Sequence, residues 1–523
     1  IEPEPPSAPS PPPARATVAR PEAARTRSSS WPPPGTLLFW GYVRGDTIAA
    51  GGYLPGATAA RTIDAAGQVV APGFIDIHTH ARRGIFDVPT AENYIRQGVT
   101  TLIEGNDGSS PIPLGPFLEK VAARRTSVNF GSFVGQGSVR REVIGLVNRR
   151  ATPEEIEKMK QIVRQAMLDG ALGISTGLFY IPGNYTPTEE VIELAKVAGA
   201  MGGMHISHMR NEAEGLLASV RETIAIGEQG HLPTQITHHK VIGPPNWGQS
   251  VETLKLVEEA RARGVDVTID QYPYTASSTG LSALIPQWAQ EGGDEMMRKR
   301  FQDPATRARI KPGIVAKIRL DRGGGNPKNV ALANCGFDLS LNGKSLAQVA
   351  DERGLQPTPE NAADVAMDLL MQGNCQTVYH AIDEADVERI MQYPWTMIGS
   401  DGEVPIFGKG VLHPRSYGTF TRVLGVYVRE RHILTLEDAI RKMSSLPAQR
   451  LKLFDRGLLR PGMKADLVIF DPDTVADRAV FGNPHQYAVG FSHVMVNGEL
   501  IIDGGRVTDR RPGRVLYGPA RTH

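Results

Sequence analysis

The chain has 523 residues and a formal net charge of +1, from 57 basic and 56 acidic side chains; 41% of it is hydrophobic and 22% charged. That length exceeds what a single hydrophobic core usually serves, so one large domain with a smaller companion is expected. The charge balance argues against nucleic acid, an anionic membrane or a polyanionic partner, and no run reaches the roughly 18 apolar residues of a membrane-spanning helix. Two cysteines, Cys335 and Cys375, exclude a disulfide framework and leave room for one bridge.

In chain order, residues 1–34 hold 11 prolines among Ala, Ser and Arg, a composition that buries too little apolar surface to offset the entropy of ordering; a disordered tail is expected. The chain begins at Ile1 and not at methionine, which points to removal of an N-terminal piece and leaves a cytoplasmic or an exported location open. Over 35–70, β-prone pieces (TLLFWGYV, RTIDAAGQVV) alternate with Gly-rich turns, and 456–518 has the same character in KADLVIFDP, HVMVNGELIIDGG and RVTD. The two ends are expected to build one small β-sandwich.

Between them, over 71–455, strand-like runs alternate with amphipathic helical stretches, the pattern of parallel βα units. Eight such runs stand out: GFIDIHTH (73–80), TTLIEG (100–105), NFGSFVG (129–135), ALGISTGL (171–178), MGGMHISH (201–208), PTQITHHK (233–240), VDVTIDQYPY (265–274) and TMIGSD (396–401). Helical spacing marks 154–168, 215–229 and 250–264. The expected fold is therefore α/β, a TIM-like (β/α)8 barrel, with an insertion at about 280–393 too long for a loop.

Side chains alternate along a strand with period two, so His78 and His80 in IDIHTH share a face, as do His238 and Lys240 in ITHHK, while His239 turns away. With His208 and Asp401 these residues fall at strand C-termini, where barrel enzymes place reacting groups. Imidazoles converging with a carboxylate suit Zn²⁺ or a similar ion. A lone histidine is more often structural, and His205, His231, His239 and His380 are read that way.

APGFIDIHTH resembles the opening motif of the amidohydrolase superfamily, and over about 35–518 the chain resembles the D-aminoacylases, or N-acyl-D-amino-acid deacylases. GLFYIPG (177–183), ISHMR (206–210), DQYPYTASS (270–278), GSDG (399–402) and HPRSYGTFTRVLG (413–425) carry the likeness. It implies that His208 and His238 ligate metal, that His78 and His80 complete the centre, and that Asp401 is the catalytic acid/base. It further implies that Lys240, Tyr272 and Arg415 hold a substrate carboxylate, and that Phe179, Tyr180 and Ser278 line the side-chain pocket.

Two departures from the family pattern matter. A cysteine that the family uses as ligand in a GNCG-type segment is replaced here by Asp107 in IEGNDGSS. Its distance after His80 makes Asp107 the expected ligand, against the plainer reading of a turn, with Glu104 in reserve. A carboxylate is harder than a thiolate and can bridge ions, which moves the expectation from Zn²⁺ alone towards Mn²⁺, Co²⁺ or a two-ion centre. Gln136 stands where the family commonly has histidine. The implied activity is metal-dependent hydrolysis of a small N-acyl-D-amino acid, with no nucleic acid or membrane partner and a homo-oligomer left open. The competing readings are a dipeptidase or cyclic amidase of the same superfamily, and a metal-free barrel acting as an interaction protein.

Overall fold

The structure, a computed structural model, describes residues 41–52 and 58–521; the proline-rich 1–34 segment and the first part of TLLFWGYV lie outside the described residues. Each of the eight expected runs contains a parallel strand. Six line up in the order Thr396–Ile398, Val267–Gln271, Thr234–Ile236, Met204–His208, Gly173–Gly177 and Val134–Gly135. A second parallel sheet joins Phe74–Asp76, Val99–Glu104 and Asn129–Ser132. The run NFGSFVG belongs to both sheets, broken at Phe133. There Gly135 approaches the Gly108 backbone so closely that a Cβ would stand 2.5 Å from it. Past the ends of strands Phe74–Asp76 and Thr396–Ile398 the Asp401 N–H donates to His78 O (2.8 Å) and the His80 N–H to Gly402 O (2.7 Å).

Helices fill the crossovers as the spacing predicts, at Pro153–Asp169, Leu216–Gly230 and Ser250–Ala262. The first starts at a Thr152–Glu155 capping box with Pro153 at its first turn and stops at Gly170 (φ 113°), an arrangement that satisfies free N–H groups and then supplies the left-handed exit. Met159, Val163, Ala166 and Met167 form its buried stripe. Helices Leu216–Gly230 and Ser250–Ala262 bury Leu216, Val220, Ile224, Val257 and Ala260 against Ile236, Val267 and Ile269 of the strands.

Strands from both ends of the described chain meet in a five-stranded antiparallel sheet, ordered Arg506–Val507, Glu499–Asp503, Phe491–Val496, Leu467–Phe470 and Val69–Pro72. Its central hairpin turns at Asn497 (φ 46°) and Gly498 (φ 81°), the positive φ pair that a tight hairpin requires. RTIDAAGQVV is strand only at its end. Asp64 Oδ1 accepts from the Ala66 N–H (2.9 Å) and Gly67 takes φ 77°, so side-chain and turn bonds replace a ladder before Val69.

The 280–393 stretch divides. Its first part folds on the antiparallel sheet Ser277–Gly280, Gln376–Tyr379, Val330–Asn334, around a core that includes Leu284, Phe301, Ile314, Leu369 and Tyr379. Cys335 and Cys375 are disulfide-bonded within it. Its last helix, Glu384–Gln392, packs instead on Ser250–Ala262 and strand Thr396–Ile398. Among the described residues, no helix is long and apolar enough to cross a membrane.

Candidate metal centre and pocket

Five strands deliver the six expected residues. His78 and His80 follow Phe74–Asp76, Asp107 follows Val99–Glu104, His208 ends Met204–His208, His238 follows Thr234–Ile236 and Asp401 follows Thr396–Ile398. The structure brings all six together in two groups that share Asp107: His78, His80, Asp107 and Asp401, and Asp107, His208 and His238. Asp107 Oδ1 lies 3.4 Å from both His78 Nε2 and His238 Nε2. Asp107 Oδ2 lies 3.4 Å from His80 Nε2 and 3.8 Å from His208 Nδ1. Each carboxylate oxygen thus faces one ring from each pair. Asp401 Oδ1 is 3.0 Å from His80 Nε2 and 3.6 Å from His78 Nε2.

Three of these residues, Asp107 (φ 55°), His238 (φ 35°) and Asp401 (φ 52°), hold left-handed backbone, which costs a non-glycine residue about 1–3 kcal/mol and persists where the surroundings enforce it. Asn106 explains part of the first: its side-chain amide donates to Thr79 O and Ile103 O and pins the turn that presents Asp107.

Among the described residues, the buried atoms His78 Nε2, both His208 ring nitrogens, Asp107 Oδ1 and Asp401 Oδ1 have no hydrogen-bond partner. Stranding so many buried polar atoms together is costly unless a cation satisfies them, so the donor set fits a metal ion. The charges of the cluster are also strongly coupled. Burial alone pushes the Asp107 and Asp401 carboxyls up, but the His78 and His238 rings around Asp107, and Arg415 and His78 beside Asp401, hold both well below the usual range. Burial likewise pulls His78 down, yet Asp107 and Asp401 raise it well above the ordinary histidine value. His205 and His239, by contrast, are pushed by burial to about 3 and bond to threonines, His205 to Thr176 and Thr234 and His239 to Thr253. They are neutral structural residues, as read from the sequence.

A cavity of about 500 Å³ opens over the cluster. Phe179, Tyr180, Lys240, Tyr272, Ser278 and Arg415 all line it, as do Ser282 and Asn374 of the inserted segment. Tyr272 OH and Ser278 Oγ are buried without a partner among the described residues. The Arg415 guanidinium pairs with Asp401 Oδ2 at 2.7 Å. Lys240 is already engaged: its Nζ stands 2.5 Å from Glu212 Oε1 and 2.8 Å from His238 Nδ1. Burial, partly offset by Glu212, pulls its ammonium below the usual lysine value. Glu104 is not a reserve ligand. Its oxygens accept from the Arg82 N–H (2.9 Å) and Arg82 Nη1 (3.0 Å), and it belongs to neither group of the cluster. Gln136 donates to Thr186 Oγ1 beside the cavity and not within the cluster.

Two residues not singled out from sequence belong to this wall. Glu212 is buried against Lys240 and lies 3.3 Å from His238 Nδ1 and 3.8 Å from His208 Nε2. Arg322 is 3.5 Å from Glu212 and stacks on Phe179 at 4.4 Å. Glu212 stands four residues after His208 in ISHMRNE, in the loop beyond the strand where no periodicity marks it; Arg322 comes from the inserted segment and had no local signal.

Parallel strands that carry four imidazoles and two carboxylates to one mouth define a metal-binding α/β protein. The chain belongs to the amidohydrolase family, whose profile matches residues 61–303 and 354–502. It is 38% identical to a D-aminoacylase of Alcaligenes xylosoxydans xylosoxydans across 91% of this chain and 92% of that one. To an N-acyl-D-glutamate deacylase of the same organism it is 37% identical, across 91% of each chain. Its fold is similar, at a TM-score of 0.77 and 34% identity, to an N-acyl-D-glutamate deacylase from Bordetella bronchiseptica complexed with zinc and a phosphonate inhibitor that mimics the reaction's tetrahedral intermediate; the match spans 91% of this chain and 94% of that one.

Proposed function

We propose that the chain is a metal-dependent deacylase that hydrolyses the amide bond of small N-acyl-D-amino acids. The observation that carries this reading is Asp107 facing one histidine of each pair with each oxygen, in a chain more than a third identical to D-amino-acid deacylases. His208, His238 and Asp107 would hold one ion, and His78, His80, Asp107 and Asp401 a second. A bound ion would supply a water of lowered pKa and polarise the amide carbonyl. Zinc is the first expectation; the carboxylate of Asp107, in place of a thiolate, widens it to Mn²⁺ and Co²⁺.

The chain's own groups supply the rest. Asp401 Oδ1, without a hydrogen-bond partner among the described residues and held ionised by Arg415, accepts the proton of the attacking water and returns it to the departing amine nitrogen, a transfer worth about 10²–10⁴-fold. Arg415 offers a planar fork and Tyr272 a free hydroxyl to the substrate's α-carboxylate. Lys240 contributes charge from its place against Glu212. With carboxylate and amide fixed, Phe179, Tyr180 and Ser278 bound the space that takes the side chain, and that fixes handedness.

The same reading extends to the scaffold. The parallel strands close into a (β/α)8 barrel over 71–455, and the terminal strands complete a β-sandwich with the Gly41–Arg44/Thr47–Gly51 hairpin; support comes from the His78–Asp401 and His80–Gly402 backbone bonds and the Ala465 N–H to Asp46 O bond. The inserted segment acts as a lid.

A panel of N-acetyl-D-amino acids, their L counterparts and dipeptides, with metal content measured on the same sample, tests the proposal. Free amino acid should be released from the D substrates alone. If these stay intact while the protein holds its ion, the substrate assignment fails.

A further inference from the structure

We infer that Asp270 is a positioning residue that sets one ring of each histidine pair and so ties the two halves of the metal centre together. This rests on the metal-centre reading above. Asp270 sits in strand Val267–Gln271, fully buried, and does not line the cavity. Its Oδ1 lies 3.4 Å from His78 Nδ1 and accepts the backbone N–H of His238 at 2.7 Å. Its Oδ2 accepts from Gln235 Nε2 at 2.5 Å, and its main-chain oxygen from the His239 N–H at 2.7 Å. One carboxylate therefore reaches both histidine pairs from below.

What it does to each differs. A carboxylate beside Nδ1 of His78 favours the proton on that nitrogen and leaves the Nε2 lone pair free; Nε2 is the atom that faces Asp107 and Asp401. At His238 the effect is on the main chain: φ is 35°, a conformation that a non-glycine residue holds only when bonded into it. The Asp270–His238 N–H bond supplies that restraint and turns His238 Nε2 to Asp107. Gly399 makes the room, since a Cβ there would come within 2.9 Å of His78 Cβ and 3.1 Å of Asp270 Oδ1.

The test is Asp270→Asn, which keeps shape and an acceptor for the His238 N–H but removes the charge beside His78. Zn²⁺ affinity is read by chelator competition, and the melting temperature is read on metal-free protein, for wild type, Asp270→Asn and Asp270→Ala. Expected are an affinity about 10–100-fold weaker in Asp270→Asn, a metal-free melting temperature within a few degrees of wild type as the Gln235 amide turns its oxygen to the new NH2, and a further loss of affinity in Asp270→Ala, which also releases His238. Wild-type affinity in Asp270→Asn, with or without a lower melting temperature, overturns the inference and leaves the metal centre standing. A wild type that binds no Zn²⁺ at the cluster overturns both. Should Asp270→Asn fail to fold, a structure of the Zn²⁺-loaded wild type decides: an Asp270 oxygen hydrogen-bonded to His78 Nδ1 upholds the role, and one turned away from His78 ends it.

Discussion

Replacing Asp107 with asparagine removes one formal charge while keeping nearly the same shape, and its effect on the two halves of the centre should be unequal. In the His208–His238 group Asp107 is the sole carboxylate, whereas the His78–His80 group keeps Asp401. The amide leaves one neutral, weaker donor oxygen where two charged ones stood, Oδ1 at 3.4 Å from His78 Nε2 and His238 Nε2 and Oδ2 at 3.4 Å from His80 Nε2. Residues that only orient metal ligands are worth about 10–100-fold in affinity, so loss of an anionic ligand should cost at least about 100-fold, or ~3 kcal/mol at about 1.4 kcal/mol per factor of ten. Equilibrium dialysis against buffered free Zn²⁺ and Mn²⁺, followed by elemental analysis, reads this directly. Asp107→Asn should hold less metal than wild type at concentrations that saturate the latter, and its deacylase rate should fall with its metal content. Asp107→Cys should recover Zn²⁺ binding and lose Mn²⁺ binding, because thiolate is the softer ligand. An Asp107→Asn protein that keeps the full complement of ions at wild-type affinity would refute the bridging role.

Tyr272→Phe removes a buried hydroxyl that has no partner among the described residues, so thermal stability should hold or rise while KM for an N-acyl-D-amino acid increases about 10-fold or more, the worth of a hydrogen bond to a charged group; an unchanged KM would remove Tyr272 from the substrate site. Burial depresses the Lys442 ammonium from the usual 10.5 to about 8. As pH falls through that window the unfolded chain takes up the proton first, so the burial penalty is complete below pH 8 and lifts as pH rises towards 10.5. Wild type should therefore gain on Lys442→Met by about 3–4 kcal/mol between those values, at about 1.4 kcal/mol per pH unit, in paired denaturant titrations; a pH-independent difference contradicts this. The Cys335–Cys375 bridge closes a separation of 40 residues, so the double serine variant, or wild type under reductant, should lose about 2–4 kcal/mol of stability in the inserted segment, measured by hydrogen exchange there. Equal protection with and without the bridge would count against it.

Much of the fold was legible because parallel strands announce themselves twice, as short β-prone runs and by the amphipathic helices between them. The site was legible for a related reason: His78, His80, His208, His238 and Asp401 all sit where such strands end, and period-two alternation separates His238 from His239. Asp107 needed the family likeness, since NDG by itself reads as a turn, and it is indeed a left-handed turn residue. Lys240, read from the likeness as a holder of the substrate carboxylate, lines the pocket, but its partner Glu212 was not foreseen, because the loop that carries Glu212 is set by tertiary packing. Asp270 lay inside the quoted DQYPYTASS segment, yet its contacts with His78 and His238 span 192 and 32 positions and leave no local pattern. RTIDAAGQVV misled because β-propensity outweighed the Asp64 turn. The 280–393 stretch was read as one insertion because the helix Glu384–Gln392 is told from its neighbours by what it packs against.

The most direct test of the metal centre is anomalous diffraction from crystals soaked in Zn²⁺. Expected is a peak bonded to Asp107 and to Nε2 or Nδ1 of the surrounding histidines, with Asp401 beside it. Contradiction would be an empty cluster in a fully soaked crystal, its four rings paired with one another or with carboxylates and the zinc found elsewhere.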